Sequence, residues 1–303
     1  MANFLIIILC FLAGVAFKKS KTLPIDSHKG INAWIIYIAL PALSFKYLPH
    51  IIWTKHLIFP ALAPILVWLF AWLLITVYGR YNKLNKATTG GLKLVSGLSN
   101  TSFIGFPLIM AYFSEKELAI AIICDQITFA ILASFGVLVA IRSSQKQRIS
   151  IVALVKKALS FPPLIACLLS LTLPHFIDIS FLDPLFDKLS ITVGPLALFS
   201  IGLQLTFGGW FSQLKHIRIA LFYKLILAPA LIFLIAIFLQ LNGIISKITI
   251  FEMAMPSQLT SAVIVEQYNL NPKLSNMVVG IGIVLGFVTT GIWWIVLQYS
   301  GLI

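Results

Sequence analysis

The chain has 303 residues, 60% of them hydrophobic and 10% charged, with a mean hydropathy of +1.01 and a formal net charge of +13. Soluble globular domains carry roughly 25% charged residues, so this composition excludes a water-soluble fold, a disordered chain and a fibrous repeat. The positive charge does not point to nucleic acid, because Lys and Arg are spread over short connections between long apolar runs, as membrane topology requires.

Apolar runs of about 17–25 residues predict spanning helices. In chain order there are ten: 3–17, 30–48, 57–79, 89–113, 118–141, 150–173, 186–208, 217–240, 246–268 and 274–300. No Lys or Arg precedes the first run, and Lys18, Lys19 and Lys21 follow it, the reverse of a secretory leader. It reads as an uncleaved span. Pro60 and Pro64 in the third run, and Pro162 and Pro163 in the sixth, predict kinks. Tyr78, Tyr81, Trp53, Trp210 and Tyr299 lie near span ends and read as interfacial anchors. Cys10, Cys124 and Cys167 stand alone in apolar runs, which suggests neither a disulfide framework nor a metal site. His28, His50, His56, His175 and His216 fall at span ends or in loops without i, i+4 pairing, so no zinc site is expected.

The loops after odd-numbered spans, with their flanks, carry 17 Lys and Arg, and those after even-numbered spans carry 5. This bias places the odd loops in the cytoplasm and both termini outside. Five spans per half give two halves, 1–142 and 143–303, of opposite orientation. Pro24 with Pro184, Pro41 with Pro195 and Pro107 with Pro256 recur at similar spacing in corresponding spans, as an inverted repeat would have them. The expected fold is an all-α membrane protein of ten transmembrane helices, arranged as two inverted five-helix repeats.

Spans 4 and 9 are each built to spoil a helix. In span 4, Gly97, Gly105 and Pro107 bracket Ser99, Asn100, Thr101 and Ser102; in span 9, Pro256 precedes Ser257, Gln258, Thr260 and Ser261. Freed backbone groups at membrane depth are tolerated only inside protein or beside a water-filled cavity. Two interrupted spans at matching positions point to a transporter's binding site, where the chains would cross. Half-helix N-termini favour an anion, and carbonyls at the opposite half-helix ends suit a cation. For either stretch alone, polar side chains satisfying a proline kink is an equally good account; the symmetric pair favours the site. The candidate substrate-binding residues are Asn100, Thr101, Pro107, Pro256, Ser257, Gln258 and Ser261.

SNTSFIGFPLI at Ser99–Ile109, ALPALSF at Ala39–Phe45, GPLALFSIGLQL at Gly194–Leu205 and AMPSQLTSAVIVEQYNLN at Ala254–Asn271 together resemble the auxin efflux carrier family, in its shorter bacterial, malonate-permease-like branch. The resemblance covers essentially the whole chain, and the order of the motifs carries it. It implies spans 1, 2, 6 and 7 as a scaffold, and spans 3–5 and 8–10 as a transport domain that moves like an elevator and holds the crossed helices. The bile-acid:sodium symporter fold is a more distant likeness, which leaves sodium coupling open.

Asp125, with Gln126 beside it, is the one carboxylate well inside a span, and an ionisable group there is a functional candidate by default. Asp125, Gln126, Gln204 and Glu266 are the candidates for proton or ion coupling. A helix–helix hydrogen bond is the simpler account of Gln204 and Asn32, and interfacial solvation that of Glu266. Lys46 and Lys224 are expected to snorkel to the interface. Gly282 and Gly286 have the spacing of a close helix contact.

The function expected is a secondary carrier or uniporter of a small organic acid anion (malonate-, malate- or auxin-like) in a bacterial-type inner membrane. The alternatives are a sodium-coupled symporter of the same fold, an intramembrane enzyme, a receptor or a channel. An enzyme would need ionisable groups converging at one depth, and a channel a continuous polar stripe. No Walker A sequence is present. No catalytic residue, cofactor or metal is expected. The expected partners are the acid, the bilayer, a coupling proton or sodium ion, and a second copy of the chain.

Overall fold

The computed structural model describes residues 2–51, 54–144, 161–205 and 213–300. Among them the chain is helical, with no strand and one isolated backbone bridge. Seven helices are long and apolar enough to cross a bilayer. They are α1 (Asn3–Ser20), α2 (Ser27–His50), α3 (Lys55–Tyr81), α6 (Glu115–Ser143), α8 (Ser180–Gln204), α9 (Leu214–Phe238) and α12 (Pro272–Tyr299), at seven of the ten expected positions. Between them lie shorter helices: α4 (Lys86–Gly97), α5 (Thr101–Tyr112), α7 (Pro162–His175), α10 (Ile244–Met253) and α11 (Leu259–Gln267). The expected fourth and ninth spans are thus each two helices with a non-helical link. Trp53, Trp210, the loop after span 5 and the start of span 6 lie outside the described residues.

The chain divides into two compact units. The first holds α1, α2, α5, the start of α6 up to Ile122, α7 and α8. The second holds α3, α4, the rest of α6 and α9 to α12.

In the first unit, Gly14 of α1 and Gly202 of α8 let two backbones meet. A Cβ on Gly14 would lie 2.9 Å from the Gly202 Cα, and one on Gly202 would lie 2.9 Å from the Gly14 Cα. Small residues at such crossings supply the contact that hydrophobicity cannot supply in lipid. Lys18 then donates to the Leu205 carbonyl at the end of α8. Gly202→Leu is expected to overpack this crossing and cost about 1–3 kcal/mol, seen as a lower melting temperature of the purified protein. Asn32 and Gln204 belong to one network here. The Ser200 hydroxyl donates to Asn32 Oδ1 (2.5 Å), and Gln204 Nε2 donates to the Ser200 hydroxyl and carbonyl (3.0 and 3.2 Å).

Proline placement explains much of the helix geometry. Pro60 sits in the first turn of its helix, where a missing N–H costs nothing, so Pro64 is the interior proline of α3. Pro162 and Pro163 occupy the first turn of α7 instead of an interior kink. Three wide π turns end two residues before a proline: Ile35–Ala39 before Pro41, Thr101–Gly105 before Pro107, and Tyr223–Leu227 before Pro229. A proline ring clashes with the carbonyl four residues back and offers it no donor, and a widened turn relieves the clash. In α9 the carbonyl so freed, that of Leu225, accepts from the Trp293 indole N–H at 3.0 Å. Caps fix two helix starts in the second unit: Asn85 Oδ1 accepts from the Thr88 N–H (2.7 Å), and Asn271 Oδ1 from the Leu274 N–H (3.3 Å).

Tyr81 and Tyr299 are exposed, as interfacial anchors would be, whereas the Tyr78 hydroxyl is bonded to His216 Nδ1 at 2.8 Å.

Candidate functional site

Gly97 ends α4 against the Trp68 ring, where a Cβ would lie 2.6 Å from Cε3, and Leu98 leaves the helix in an extended conformation. Pro256 lies in the link between α10 and α11, and Gln258 is extended at the start of α11. The two links meet. Ser99 and Ser257 form an antiparallel bridge, in which the Asn100 N–H donates to the Pro256 carbonyl (2.8 Å) and the Gln258 N–H to the Leu98 carbonyl (2.9 Å). Two backbone donors and two carbonyls freed by the breaks are thus satisfied across the crossing, where hydrocarbon would offer no water.

That pairing decides what the polar side chains are not doing. Asn100, Ser257 and Gln258 are buried, with 1%, 0% and 3% exposure, and are not needed to repair the backbone. Asn100 Nδ2, Ser257 Oγ and both amide atoms of Gln258 have no hydrogen-bond partner in the protein. Buried polar atoms without a partner are uncommon and call for an explanation. The Ser261 hydroxyl, in the first turn of α11, donates back to the Gln258 carbonyl at 2.6 Å. The Thr101 hydroxyl donates to Asp125 Oδ1 of α6 at 2.6 Å, tying the intramembrane carboxylate to the break. Gln126, next to it, is buried with its Oε1 unpartnered.

The remaining sequence candidates lie elsewhere. Pro107 is on α5 and Gln204 on α8, both in the first unit, and Glu266 is exposed near the end of α11.

Two charged residues at the crossing were not singled out by the sequence. Lys224 does not snorkel. It is fully buried on α9, ten residues or about 15 Å from the start of that helix. Its ammonium donates to Ser99 Oγ (2.7 Å) and to the Met253 carbonyl (3.0 Å), one group in each break. It therefore takes no part in the loop charge bias. Glu252, which its sequence position places near a span end, is fully buried one turn before Pro256, because α10 starts at Ile244 and ends at the break. Neither carboxyl oxygen has a hydrogen-bond partner, and the group lies within electrostatic reach of Lys224 and Asp125. The signal was present in both cases: a lysine seven residues inside an apolar run, and a carboxylate four residues before a mid-span proline.

Lys46, the other lysine expected to snorkel, lies in the first unit with ion pairs to Asp187 (3.0 Å) and Glu115 (3.9 Å). It borders a cavity of about 510 Å³ with Tyr47, His50 and Phe186.

Gly282 and Gly286 serve the crossing. A Cβ on Gly286 would lie 2.9 Å from Pro256 Cγ, and one on Gly282 would lie 3.9 Å from Pro256 Cβ. The glycine stripe of α12 is the seat of the second break. Gly286→Val is expected to displace Pro256 and its bond to Asn100. The expected result is loss of transport with a modest fall in melting temperature, read by uptake and thermal unfolding of the same preparation.

The site holds amide and hydroxyl donors, the N-terminus of α11, one ammonium and two carboxylates. These are groups that suit an anion and a balancing cation. The model of the membrane transport protein family matches residues 1–294. An uncharacterized transporter of Methanocaldococcus jannaschii is 29% identical over 97% of this chain and 98% of its own length. An uncharacterized transporter of Methanothermobacter thermautotrophicus is 24% identical over 96% of each. The chain belongs to the membrane transport protein family, the auxin efflux carrier-like group of multi-pass membrane transporters.

Proposed function

We propose that the protein is a secondary carrier or uniporter for a small organic acid anion of the malonate, malate or auxin-like class. The observation that carries this is the crossing of the two broken helices. Two backbone hydrogen bonds join the breaks, and Asn100 Nδ2, the Gln258 amide and the Ser257 hydroxyl are left buried without partners beside the α11 N-terminus. A carboxylate takes two or more such donors, and the helix end adds roughly half a positive charge. Substrate would contact Asn100, Thr101, Ser257, Gln258 and Ser261, with Pro256 shaping the start of α11. Asp125 and Gln126 are the nearest candidates for coupling.

Spans 3–5 and 8–10 would be the moving transport domain and spans 1, 2, 6 and 7 the scaffold, in an elevator-type cycle. The two compact units follow that division except at α5 and the start of α6, which fall in the first unit. Ten spans in two inverted repeats, in a bacterial-type inner membrane with both termini outside, is the topology that the Lys and Arg bias and the proline spacing support.

The test is uptake of labelled malonate, malate and indole acetate into proteoliposomes, with and without proton or sodium gradients. Saturable uptake of one acid supports the carrier. Flux that never saturates would favour a channel, and absence of flux for every acid would remove the substrate class.

A further inference from the structure

Half-helix C-terminal ends in transporters are where exposed carbonyls hold coupling cations. At this crossing the end of α10 is such a place, and Met253 supplies its last helical carbonyl. Ser99 Oγ lies beside it from the other break, and Glu252, the residue before Met253, is fully buried there and acts on Lys224 electrostatically without an ion-pair contact. A carbonyl, a hydroxyl and a carboxylate are the oxygen set that a hard cation takes. The Lys224 ammonium already occupies that set, at 3.0 Å from the carbonyl and 2.7 Å from the hydroxyl.

We propose that Lys224 is the built-in cation of the crossing: its ammonium stands where a coupling metal ion would otherwise bind, and the carrier needs no sodium. The placement of Lys224 makes this more than a general salt-bridge argument. Its ammonium bonds to one atom of each broken span, so it holds the two half-helix pairs together as a bound ion would. The π turn Tyr223–Leu227 includes Lys224 at its second position, and Pro229, two residues beyond, fixes where that turn falls. Burial of an ammonium is costly unless it is hydrogen-bonded, and the Ser99 hydroxyl and the Met253 carbonyl meet that need here. The consequence for coupling rests on the carrier reading; occupancy of the cation position by Lys224 does not.

The test is thermal unfolding of detergent-purified protein in sodium, choline or ethylammonium chloride at equal ionic strength, which needs no substrate. Wild type is expected to melt at the same temperature in all three. Lys224→Ala is expected to melt lower in choline and to regain part of the loss in ethylammonium or sodium, because the oxygen set is then open to a small cation. Sodium-specific, saturable stabilisation of wild type would overturn the proposal, and so would a folded Lys224→Ala indifferent to both cations. Should Lys224→Ala not be obtained folded, the wild-type comparison decides alone. Failure of all three acids to be transported would sink the carrier reading and leave these melting results untouched.

Discussion

Asn100→Ala and Gln258→Ala each lower organic-acid uptake by about 10- to 100-fold, while both proteins express and melt close to wild type. The size follows from losing a hydrogen bond to a charged group, worth about 1.5–3 kcal/mol, with every 1.4 kcal/mol a factor of ten. The small structural cost follows from geometry. Asn100 and Gln258 hold the crossing through backbone N–H groups, which alanine keeps, and the Asn100 Nδ2 and Gln258 amide atoms have no partner in the protein to lose. Asn100→Pro removes the N–H that bonds to Pro256 and is expected to prevent folding of the second unit, read as loss of a cooperative melt. Uptake at wild-type rates in both alanine variants would show that the crossing is not the substrate site.

Lys224→Met and Glu252→Gln each destabilise the purified protein, and the double variant recovers much of the loss. Removing Lys224 leaves the buried Glu252 without the ammonium that acts on it electrostatically, and neutralising Glu252 takes the same interaction from the buried ammonium. Breaking a buried pair on one side costs about 3–5 kcal/mol, whereas replacing both sides with neutral groups is often close to neutral. The coupling is read from a double-mutant cycle of melting temperatures. Additive losses in that cycle would mean that the two charges do not sense each other, and the reading of this cluster as a balanced set would fall.

Much of the site was legible in the sequence because helix breakers leave a local signature. Gly97, Pro107 and Pro256, with the polar runs beside them, marked both interruptions. The resulting bridge between Ser99 and Ser257 joins residues 158 positions apart, a pairing that no local pattern encodes. Lys224 was misplaced because position within an apolar run was used as a measure of depth. A lysine seven residues into such a run can be two or three turns inside the helix, and Lys224 is. Burial there depends on acceptors supplied by Ser99 and Met253, which only the tertiary structure provides. The contact of Gly14 with Gly202 was invisible for the same reason, since each glycine by itself is unremarked in an apolar run. The π turns are in principle readable. Each of the three before Pro41, Pro107 and Pro229 ends two residues ahead of its proline, so the rule is local even though its use in placing Lys224 is not.

The measurement that bears most directly on the crossing as a substrate site is calorimetric titration of the transported acid into purified wild type and Asn100→Ala. Saturable binding to wild type and loss of at least about tenfold in affinity in Asn100→Ala, with unchanged melting of the unliganded proteins, is the result expected. Equal affinity in the two proteins would contradict the assignment and place the acid elsewhere, the charged cavity beside Lys46 being the first place to look.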